Sequence, residues 1–125
     1  MNENDIARIV LDICFEIHKT LGPGLLESVY EEILCYELDK RGLSYERQKG
    51  MPVIWKDIKM DIGYRPDVVV ERKVVVELKS VEVIAKSHPK TVLTYVRISG
   101  MKLGLLINFG APFLREGIIR LVNKL

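Results

Sequence analysis

Two carboxylates and a lysine interrupt a run of valines in the second half of the chain. The sequence reads RPDVVV from Arg65 to Val70 and VVVELK from Val74 to Lys79, with the charged stretch Glu71-Arg72-Lys73 between them. Burying a charge costs several kcal/mol unless a counter-charge or a metal ion offsets it. Ionisable groups inside apolar strands therefore indicate a functional site rather than a surface, and we expect this site to bind a divalent metal ion.

The register of the two strands follows from the length of the loop between them. If residues 71–73 form a three-residue hairpin loop, Asp67 lies directly opposite Glu77. Directly opposed β-carbons are about 4.5–5.5 Å apart, which lets two carboxylates share one ion. Lys79 then shares the face of Glu77, because side chains alternate between the two faces of a strand. A two-residue loop would place Asp67 and Glu77 on opposite faces, so the predicted site depends on one turn.

Carboxylate oxygens without a nearby Cys or His favour a hard cation, Mg²⁺ or Mn²⁺, over zinc. An ion held by Asp67 and Glu77 could lower the pKa of a bound water and offset the negative charge that develops on a phosphate during the reaction. We assign Lys79 to catalysis, where it would orient the water or stabilise the phosphorus. The alternative is that Asp67 caps a turn while Glu77 pairs with Lys79 at a sheet edge. Valine on both faces is typical of central strands and favours the metal site.

Two motifs carry a resemblance to known families. Pro66-Asp67, nine further residues and Glu77-Leu78-Lys79 resemble the signature of the PD-(D/E)xK nuclease superfamily. The segment LGPGLLESVY at residues 21–30 resembles the small prokaryotic family of GxxExxY proteins, whose name matches Gly24, Glu27 and Tyr30 here. The resemblance covers nearly the whole chain, in order, and its further matches are Gly42, Tyr95 and the segment GLLINF at residues 104–109.

The resemblance implies a fold, a site and an activity. The fold is a restriction-endonuclease-like α/β core, with a central mixed β-sheet flanked by helices. In the superfamily the matching residues bind Mg²⁺ or Mn²⁺, here Asp67 and Glu77, with a further contact from the helix residue Glu27, and the matching lysine, Lys79, assists the attacking water. The expected activity is metal-dependent hydrolysis of phosphodiester bonds in nucleic acid, with DNA favoured over RNA.

Substrate contacts are expected from four further residues, and for His88 helix capping is the alternative role. His88 lies before a predicted helix start, where backbone amides favour phosphate. The four residues are Tyr30, His88, Lys90 and Arg97.

Two other functions stay open at this point. One is a catalytically inactive nuclease fold that binds nucleic acid or a protein partner, which is favoured by Thr91, because relatives commonly place a Gln there. The other is a purely structural dimer formed through the apolar strand at residues 103–109. Intact Asp67, Glu77 and Lys79 favour the enzyme.

Composition and length indicate one compact domain spanning residues 1–125. A chain of this size buries about two-thirds of its unfolded surface, enough for a single core. We expect a cytoplasmic protein without a membrane contact, because no run of ~18 apolar residues is present and the polar start at residues 2–5 is unlike a signal peptide. Cys14 and Cys35 fall within helical apolar patterns and are predicted to be reduced core thiols.

Charge is divided unevenly along the chain. Residues 1–40 contain nine acidic and three basic residues, a net −6, whereas residues 41–125 contain sixteen basic and eight acidic residues, a net +8. A basic half predicts a nucleic-acid face, because Lys and Arg contacts to phosphate supply most non-specific affinity. A domain this small is also expected to need a second subunit to grip a duplex, which makes a homodimer possible. The candidate bases are Arg47, Lys49, Arg72, Lys73, Lys86, Lys90, Arg97 and Lys102.

Periodicity predicts the scaffold. A first helix begins after the capping candidates Asn4 and Asp5 and ends at Gly22-Pro23, with His18 capping its last carbonyls. A second runs from residue 25 to about 41. A third, capped by Ser87 or His88 with Pro89 at its first position, runs to residue 99, although its β-branched residues locally favour strand. Gly63 is expected to mark a bulge. Besides the two site strands, strands are predicted at residues 45–49, 51–55, 58–64, 103–109 and 117–123.

Overall fold

The computed structural model describes residues 1–125, apart from the side chain of Ile62. It contains a mixed five-stranded sheet with helices on both faces and a separate two-stranded sheet, which confirms the predicted α/β fold. The helices are α1 (Glu3–Leu21), α2 (Glu27–Lys40) and α3 (Ser87–Ser99). The strands are β1 (Tyr45–Arg47), β2 (Met51–Trp55), β3 (Ile58–Tyr64), β4 (Val68–Val70), β5 (Val74–Lys79), β6 (Leu103–Asn108) and β7 (Ile118–Val122).

The five-stranded sheet has the order β1-β4-β5-β6-β7. Only the β5–β6 pair is parallel, and α3 forms the crossover between these two strands. All residues of β6 are buried, because β5 and β7 flank the strand and helices cover both faces. The apolar strand at residues 103–109 is therefore the centre of the sheet, which excludes the structural dimer proposed through it.

The helices α1 and α2 cover one face of the sheet. Their apolar stripes, which include Ile13 and Leu34, pack against the even-numbered side chains of β4 and β5, such as Val70 and Val76. Cys14 and Cys35 lie in this layer as free thiols, as predicted, and burial raises the pKa of both. This layer is the main hydrophobic core.

The opposite face carries α3. Val92 and Val96, one helical turn apart, pack against Val69 and Val75 of the sheet. The helix ends at Gly100, which adopts a left-handed conformation with φ 76°. Its β-branched residues favour strand by local propensity, but burial against the sheet outweighs that preference, since helix propensities differ by only a few tenths of a kcal/mol.

The loop between β4 and β5 has the three residues on which the site prediction depends. Val70 pairs with Val74 and Val68 with Val76, as expected for that length. Glu71 and Arg72 adopt left-handed conformations with φ of 53° and 54°. The Glu71 side chain accepts a hydrogen bond from the Ser44 amide at 2.7 Å, and the Glu71 amide donates to the Ser44 carbonyl at 2.9 Å. These contacts fix the loop, and with it the register of β4 and β5 that brings Asp67 and Glu77 together.

Strands β2 and β3 form an antiparallel hairpin outside the main sheet. Its register shifts between Met51 and Val53, opposite a segment of β3 that includes Gly63. A β-carbon on Gly63 would lie 2.0 Å from the Met51 carbonyl oxygen, so only glycine fits there. The predicted irregularity at Gly63 is therefore confirmed, and its cause is close backbone approach.

Three local predictions need correction. Asn2, rather than Asn4 or Asp5, caps α1, and Asp5 completes a capping box with it. The His18 ring does not cap its own helix: its Nε2 lies 2.8 Å from the Ala111 carbonyl oxygen, while the Gly22 amide donates to the His18 carbonyl. Strand β1 ends at Arg47 instead of residue 49, because Gln48 has a left-handed φ of 51°. Sequence spacing does not reveal the partner of His18 in particular, because Ala111 lies 93 positions further along the chain.

The described helices are too short or too polar for a bilayer, and none of them qualifies as a membrane span.

Candidate active site

Asp67 and Glu77 lie next to each other where β4 begins and β5 nears its end. Asp67 directly precedes β4, and its amide donates a hydrogen bond to Glu77 Oε1 at 3.0 Å. In return, Asp67 Oδ2 accepts a hydrogen bond of 2.8 Å from the Leu78 amide. The odd-numbered neighbours Val69 and Val75 pack under α3, which places Asp67 and Glu77 on the same side of the sheet as α3.

The Glu77 carboxyl group is only 8% exposed, and this burial has an electrostatic cost. The pKa of Glu77 is raised to about 7: burial is the main cause, the hydrogen bond from Tyr64 opposes it, and the nearby Asp67 charge adds to it. Two neighbouring carboxylates in a partly dry environment repel each other. A cation at this point would favour the ionised form of both.

Tyr64, at the end of β3, holds the second oxygen of Glu77. Its hydroxyl donates to Glu77 Oε2, and its ring stacks on Tyr95 of α3 with centroids 4.2 Å apart. Burial, followed by the Glu77 carboxylate, raises the pKa of Tyr64 above its ordinary value, so the hydroxyl remains a donor. The sequence analysis did not assign Tyr64 to the site; its position two residues before Pro66 was the only local signal.

Gln48 and Glu31 are further residues that the sequence analysis missed. The Gln48 side-chain amide donates to Asp67 Oδ1 at 3.0 Å and to Glu31 Oε1 at 2.9 Å. Glu31 is buried on α2 and forms a salt bridge with Arg47 at 2.9 Å. Glu27 and Glu31 are like-charged residues four positions apart on α2, a spacing that is unfavourable without a nearby cation. The cation is Arg47, and Glu31 is the residue that it binds.

Lys79 is the last residue of β5, two positions after Glu77, and therefore projects from the same face. Its side chain is half-buried, and among the described residues it forms no salt bridge. The alternative in which Glu77 pairs with Lys79 is thus not observed: Glu77 is bonded to Tyr64 and Asp67 instead. Among the described residues, Lys79 therefore lies on the face of the two carboxylates without a salt bridge to either of them.

Glu27 stands apart from the carboxylate pair. It is exposed in the first turn of α2 and lines a surface pocket together with Ser80, the residue that follows Lys79. Within the described part of the chain, no group of three or more His, Cys, Asp or Glu side chains is arranged to hold a metal ion. The structure therefore brings together two of the three predicted metal ligands and leaves Glu27 across the adjacent pocket.

The substrate-binding candidates fall into two groups. His88, Lys90 and Arg97 all lie on α3, with His88 half-buried and the two bases exposed. Tyr30 is completely buried: its ring stacks on Phe109 at 4.1 Å, and its hydroxyl donates to the Gly22 carbonyl at 2.6 Å. The Leu25 amide also donates to that hydroxyl. Tyr30 has no surface with which to contact substrate, and it stabilises the turn before α2 instead.

The basic candidates divide in a similar way. Arg47 binds Glu31 and Glu32, and Lys49 binds Glu46 at 2.6 Å. Arg72 lies 3.9 Å from Glu46, and Lys73 donates to the Met1 carbonyl. The other four lie on α3 or beside it, are exposed, and make no salt bridge in the described part of the molecule: Lys86, Lys90, Arg97 and Lys102.

The donors present fit a hard divalent cation. Mg²⁺ is commonly bound through one or two carboxylates, with water and substrate phosphate completing its shell. Asp67 and Glu77 supply two adjacent carboxylates, and each of their four oxygens accepts only one hydrogen bond from the protein, so a lone pair remains on each. Cys14 and Cys35 are buried on α1 and α2, on the other face of the sheet from the two carboxylates. Neither thiol is therefore available at the site to favour a softer metal.

Comparison with known families agrees with this geometry. The sequence model of the PD-(D/E)XK nuclease superfamily matches residues 4–121, which is nearly the whole chain. The chain belongs to the PD-(D/E)XK nuclease superfamily. Nucleases of this superfamily generally use divalent metal ions and bind nucleic acid. No curated protein and no solved structure matches the chain significantly.

Membership also accounts for where the structure concentrates polar groups. The residues that resemble the superfamily signature, Asp67, Glu77 and Lys79, are the ones that the three-residue loop brings to one face. Tyr64 donates to Glu77, Gln48 donates to Asp67, and Glu31 in turn accepts from Gln48, so three distant parts of the chain support the pair. The site is therefore built from the superfamily signature and a supporting network.

Proposed function

We propose that this protein is a nuclease that hydrolyses phosphodiester bonds of nucleic acid with the help of Mg²⁺ or Mn²⁺. The observation that carries the proposal is the adjacent pair Asp67 and Glu77, in which each carboxylate accepts a hydrogen bond from a backbone amide of the opposite strand, with Lys79 on the same face. An ion held by the two carboxylates would supply a bound water of lowered pKa and positive charge near the phosphate. DNA is the favoured substrate over RNA.

The chain's own residues have distinct parts in this proposal. Asp67 and Glu77 present fixed oxygens, because backbone amides and side chains hold all four. Lys79 would donate a hydrogen bond to the attacking water, which orients it, or to a phosphate oxygen, whose developing negative charge it would stabilise. Glu27, across the pocket shared with Ser80, is assigned to the outer part of the metal and water shell.

Nucleic acid would approach along α3. This helix contains no acidic residue, and four exposed bases lie on it or flank it, namely Lys86, Lys90, Arg97 and Lys102. Cationic side chains beside a metal site attract phosphate and align a backbone, although they carry no sequence information. The proposed substrate contacts are therefore His88, Lys90 and Arg97.

A cleavage assay tests this function directly. Branched, linear and single-stranded DNA and RNA are incubated with the wild-type protein and Mg²⁺ or Mn²⁺, in parallel with Glu77→Gln. Loss of a carboxylate ligand should lower cleavage by at least about 100-fold. Glu16→Gln, on the exposed side of α1, is the matched control and should cleave like the wild type. Equal cleavage by Glu77→Gln would contradict the proposal.

The rival function is an inactive nuclease fold that binds nucleic acid or a protein partner. It is favoured by the exposed Thr91 on α3, and by the separation of Glu27 from the two carboxylates. The same assay separates the two functions. Binding that depends on Mg²⁺ or Mn²⁺, without cleavage of any substrate in the panel, would establish the rival.

A homodimer forms the last part of the proposal, with the β2–β3 hairpin as its contact. Trp55 pairs with Ile58 and Val53 with Met60, which puts four apolar side chains on one face. Trp55 is 62% exposed and Ile58 59% exposed. An isolated two-stranded hairpin is marginally stable in water and gains stability when its apolar face is covered. Its charged residues, Lys56, Asp57, Lys59 and Asp61, sum to zero, which favours a second copy of this chain over a polyanion.

A further inference from the structure

The amide of Gln48 lies between two carboxylates. Its Nε2 is 3.0 Å from Asp67 Oδ1 and 2.9 Å from Glu31 Oε1. An ionised carboxylate only accepts hydrogen bonds, and a primary amide nitrogen carries two protons. Both protons are therefore used, one for each carboxylate. This chemistry also fixes which end of the amide faces the site, because the amide oxygen would repel both carboxylates.

Glu31 is a rigid anchor for this amide. Its side chain is buried, and its Oε2 accepts two hydrogen bonds from Arg47, from Nε at 3.0 Å and from the terminal nitrogen Nη2 at 2.9 Å. Such a forked contact between a guanidinium and a carboxylate is stronger and more directional than a single hydrogen bond. The other oxygen, Oε1, then faces Gln48 in a fixed direction. The contact with Glu31 on α2 thus fixes the position of the Gln48 amide.

The backbone at Gln48 contributes as well. Gln48 has a φ of 51°, in the left-handed region that is unfavourable for a residue with a side chain. Its amide donates to the Asp67 carbonyl at 3.0 Å. Unfavourable backbone conformations persist where several contacts enforce them, and they are concentrated at functional sites. Here the conformation ends β1 and turns the Gln48 side chain towards Asp67.

We propose that Gln48 is a positioning residue, which holds the Asp67 carboxylate in one orientation before any ion binds. This inference rests on the proposed metal-dependent function. One Asp67 oxygen is held by Gln48 and the other by the Leu78 amide, so the carboxylate plane cannot rotate. Residues that orient a metal ligand typically change metal affinity 10- to 100-fold when they are removed. Gln48 contacts neither the ion nor the substrate in this role.

Gln48 is the only glutamine in the chain, so selective ¹⁵N-glutamine labelling gives one side-chain amide pair in an NMR spectrum. In the metal-free protein we expect two resolved protons that exchange slowly with water. Asp67→Ala should move one of them to the position of an unbonded amide. Substoichiometric Mn²⁺ should broaden the pair. An amide that exchanges freely in the metal-free protein, and does not respond to Asp67→Ala, would overturn the proposal.

Calorimetric titration with Mn²⁺ gives the second readout. Gln48→Met keeps the length of the side chain without its donors, and should weaken Mn²⁺ binding by roughly 10- to 100-fold while the melting temperature changes by only a few degrees. Glu46→Gln, two residues earlier on strand β1, is the control and should bind Mn²⁺ within about twofold of wild type. Unchanged affinity in Gln48→Met would contradict the positioning role, as would a loss of affinity that merely follows unfolding.

The two proposals fail in different ways. A wild-type protein that does not bind Mn²⁺ and does not cleave nucleic acid would overturn the metal-dependent function. The metal-free amide spectrum would still decide whether Gln48 holds Asp67. If Gln48→Met does not fold, the spectrum of the folded wild type and of Asp67→Ala decides the question alone.

Discussion

At the scale of single residues, each oxygen of the two site carboxylates has a donor of its own. The Leu78 amide and Gln48 hold Asp67, while the Asp67 amide and Tyr64 hold Glu77. A carboxylate fixed in this way loses little entropy when it binds an ion, so affinity depends on how well the donors are held. This is the physical basis for separating residues that would bind the metal from those that position them.

Lys79→Met separates binding from chemistry. Because Lys79 is proposed to act on the attacking water or the phosphate rather than to bind the metal, the variant should bind Mn²⁺ like the wild type. Cleavage should fall by about 10²–10³-fold, the usual contribution of one positioned donor that stabilises charge in the transition state. The measurement is cleavage rate against calorimetric affinity, with Lys40→Met on the exposed end of α2 as the control. Weakened Mn²⁺ binding would instead place Lys79 in the metal shell.

Tyr30→Phe tests whether Tyr30 has a structural role. Removal of the hydroxyl leaves the Gly22 carbonyl and the Leu25 amide without that partner, which should lower the free energy of unfolding by about 1–3 kcal/mol. Denaturant titration measures the change. Tyr36→Phe, on the exposed side of the same helix, should be nearly neutral. A normal stability combined with weaker substrate binding would support the substrate contact expected from the sequence.

At the scale of elements, one loop and one helix determine the site. The three-residue loop after β4 puts Asp67 and Glu77 on one face, and Ser44 fixes that loop through Glu71. Helix α3 covers the same face and supplies Tyr95, which stacks on Tyr64. The register could be predicted from the sequence because strand pairing has a period of two and the two ends of the loop are unambiguous. The role of Ser44 could not, because it lies 27 positions from Glu71.

Gly110→Ala tests the junction after β6. A β-carbon at Gly110 would lie 2.2 Å from the Val81 carbonyl oxygen, in the segment that follows the site strand β5. Relief of this clash requires a backbone shift, so we expect a loss of roughly 1–3 kcal/mol in the free energy of unfolding. Gly50→Ala is the matched control: no heavy atom lies within 4 Å of its added β-carbon, and its stability should change by less than about 0.5 kcal/mol. Equal stability of the two variants would mean that the junction can move freely.

At the scale of the whole molecule, charge and exposed apolar surface lie on different elements. Four bases without a carboxylate partner among the described residues lie on or beside α3, whereas the exposed apolar side chains of the β2–β3 hairpin lie on an element without net charge. The two surfaces therefore suit different partners. We expect the α3 surface to bind a polyanion and the apolar hairpin surface to bind the same surface of a second copy.

The α3 surface predicts a salt dependence of binding. The dependence of log K on log salt concentration should flatten by about one unit for each of Lys90→Ala and Arg97→Ala, because each removes one phosphate contact. Fluorescence anisotropy with labelled DNA at several salt concentrations measures the slope. Lys19→Ala, on the acidic half of the chain, should leave it unchanged. An unchanged slope in both α3 variants would place the nucleic acid elsewhere.

The hairpin predicts self-association. If Trp55 and Ile58 pack against a second copy, Trp55→Asp should shift the protein from dimer to monomer, because a buried unpaired charge at an interface costs several kcal/mol. Sedimentation equilibrium gives the oligomeric state. Phe113→Asp, at an exposed apolar residue elsewhere on the surface, is the control. A wild-type protein that is monomeric at high concentration would contradict the dimer.

The sequence by itself determined the parts of this protein that depend on local periodicity and on the length of the β4–β5 loop, which sets the register of those two strands. These are the helix and strand order, the apolar faces, and the pairing of Asp67 with Glu77, since each follows from spacing within a few residues. Only the tertiary structure decided what surrounds that pair. Gln48, Glu31 and Tyr64 reach the site from separate elements, and Glu27 and Tyr30 do not join it, because helix and hairpin placement is set by packing between distant segments. Local patterns contain no information on that packing.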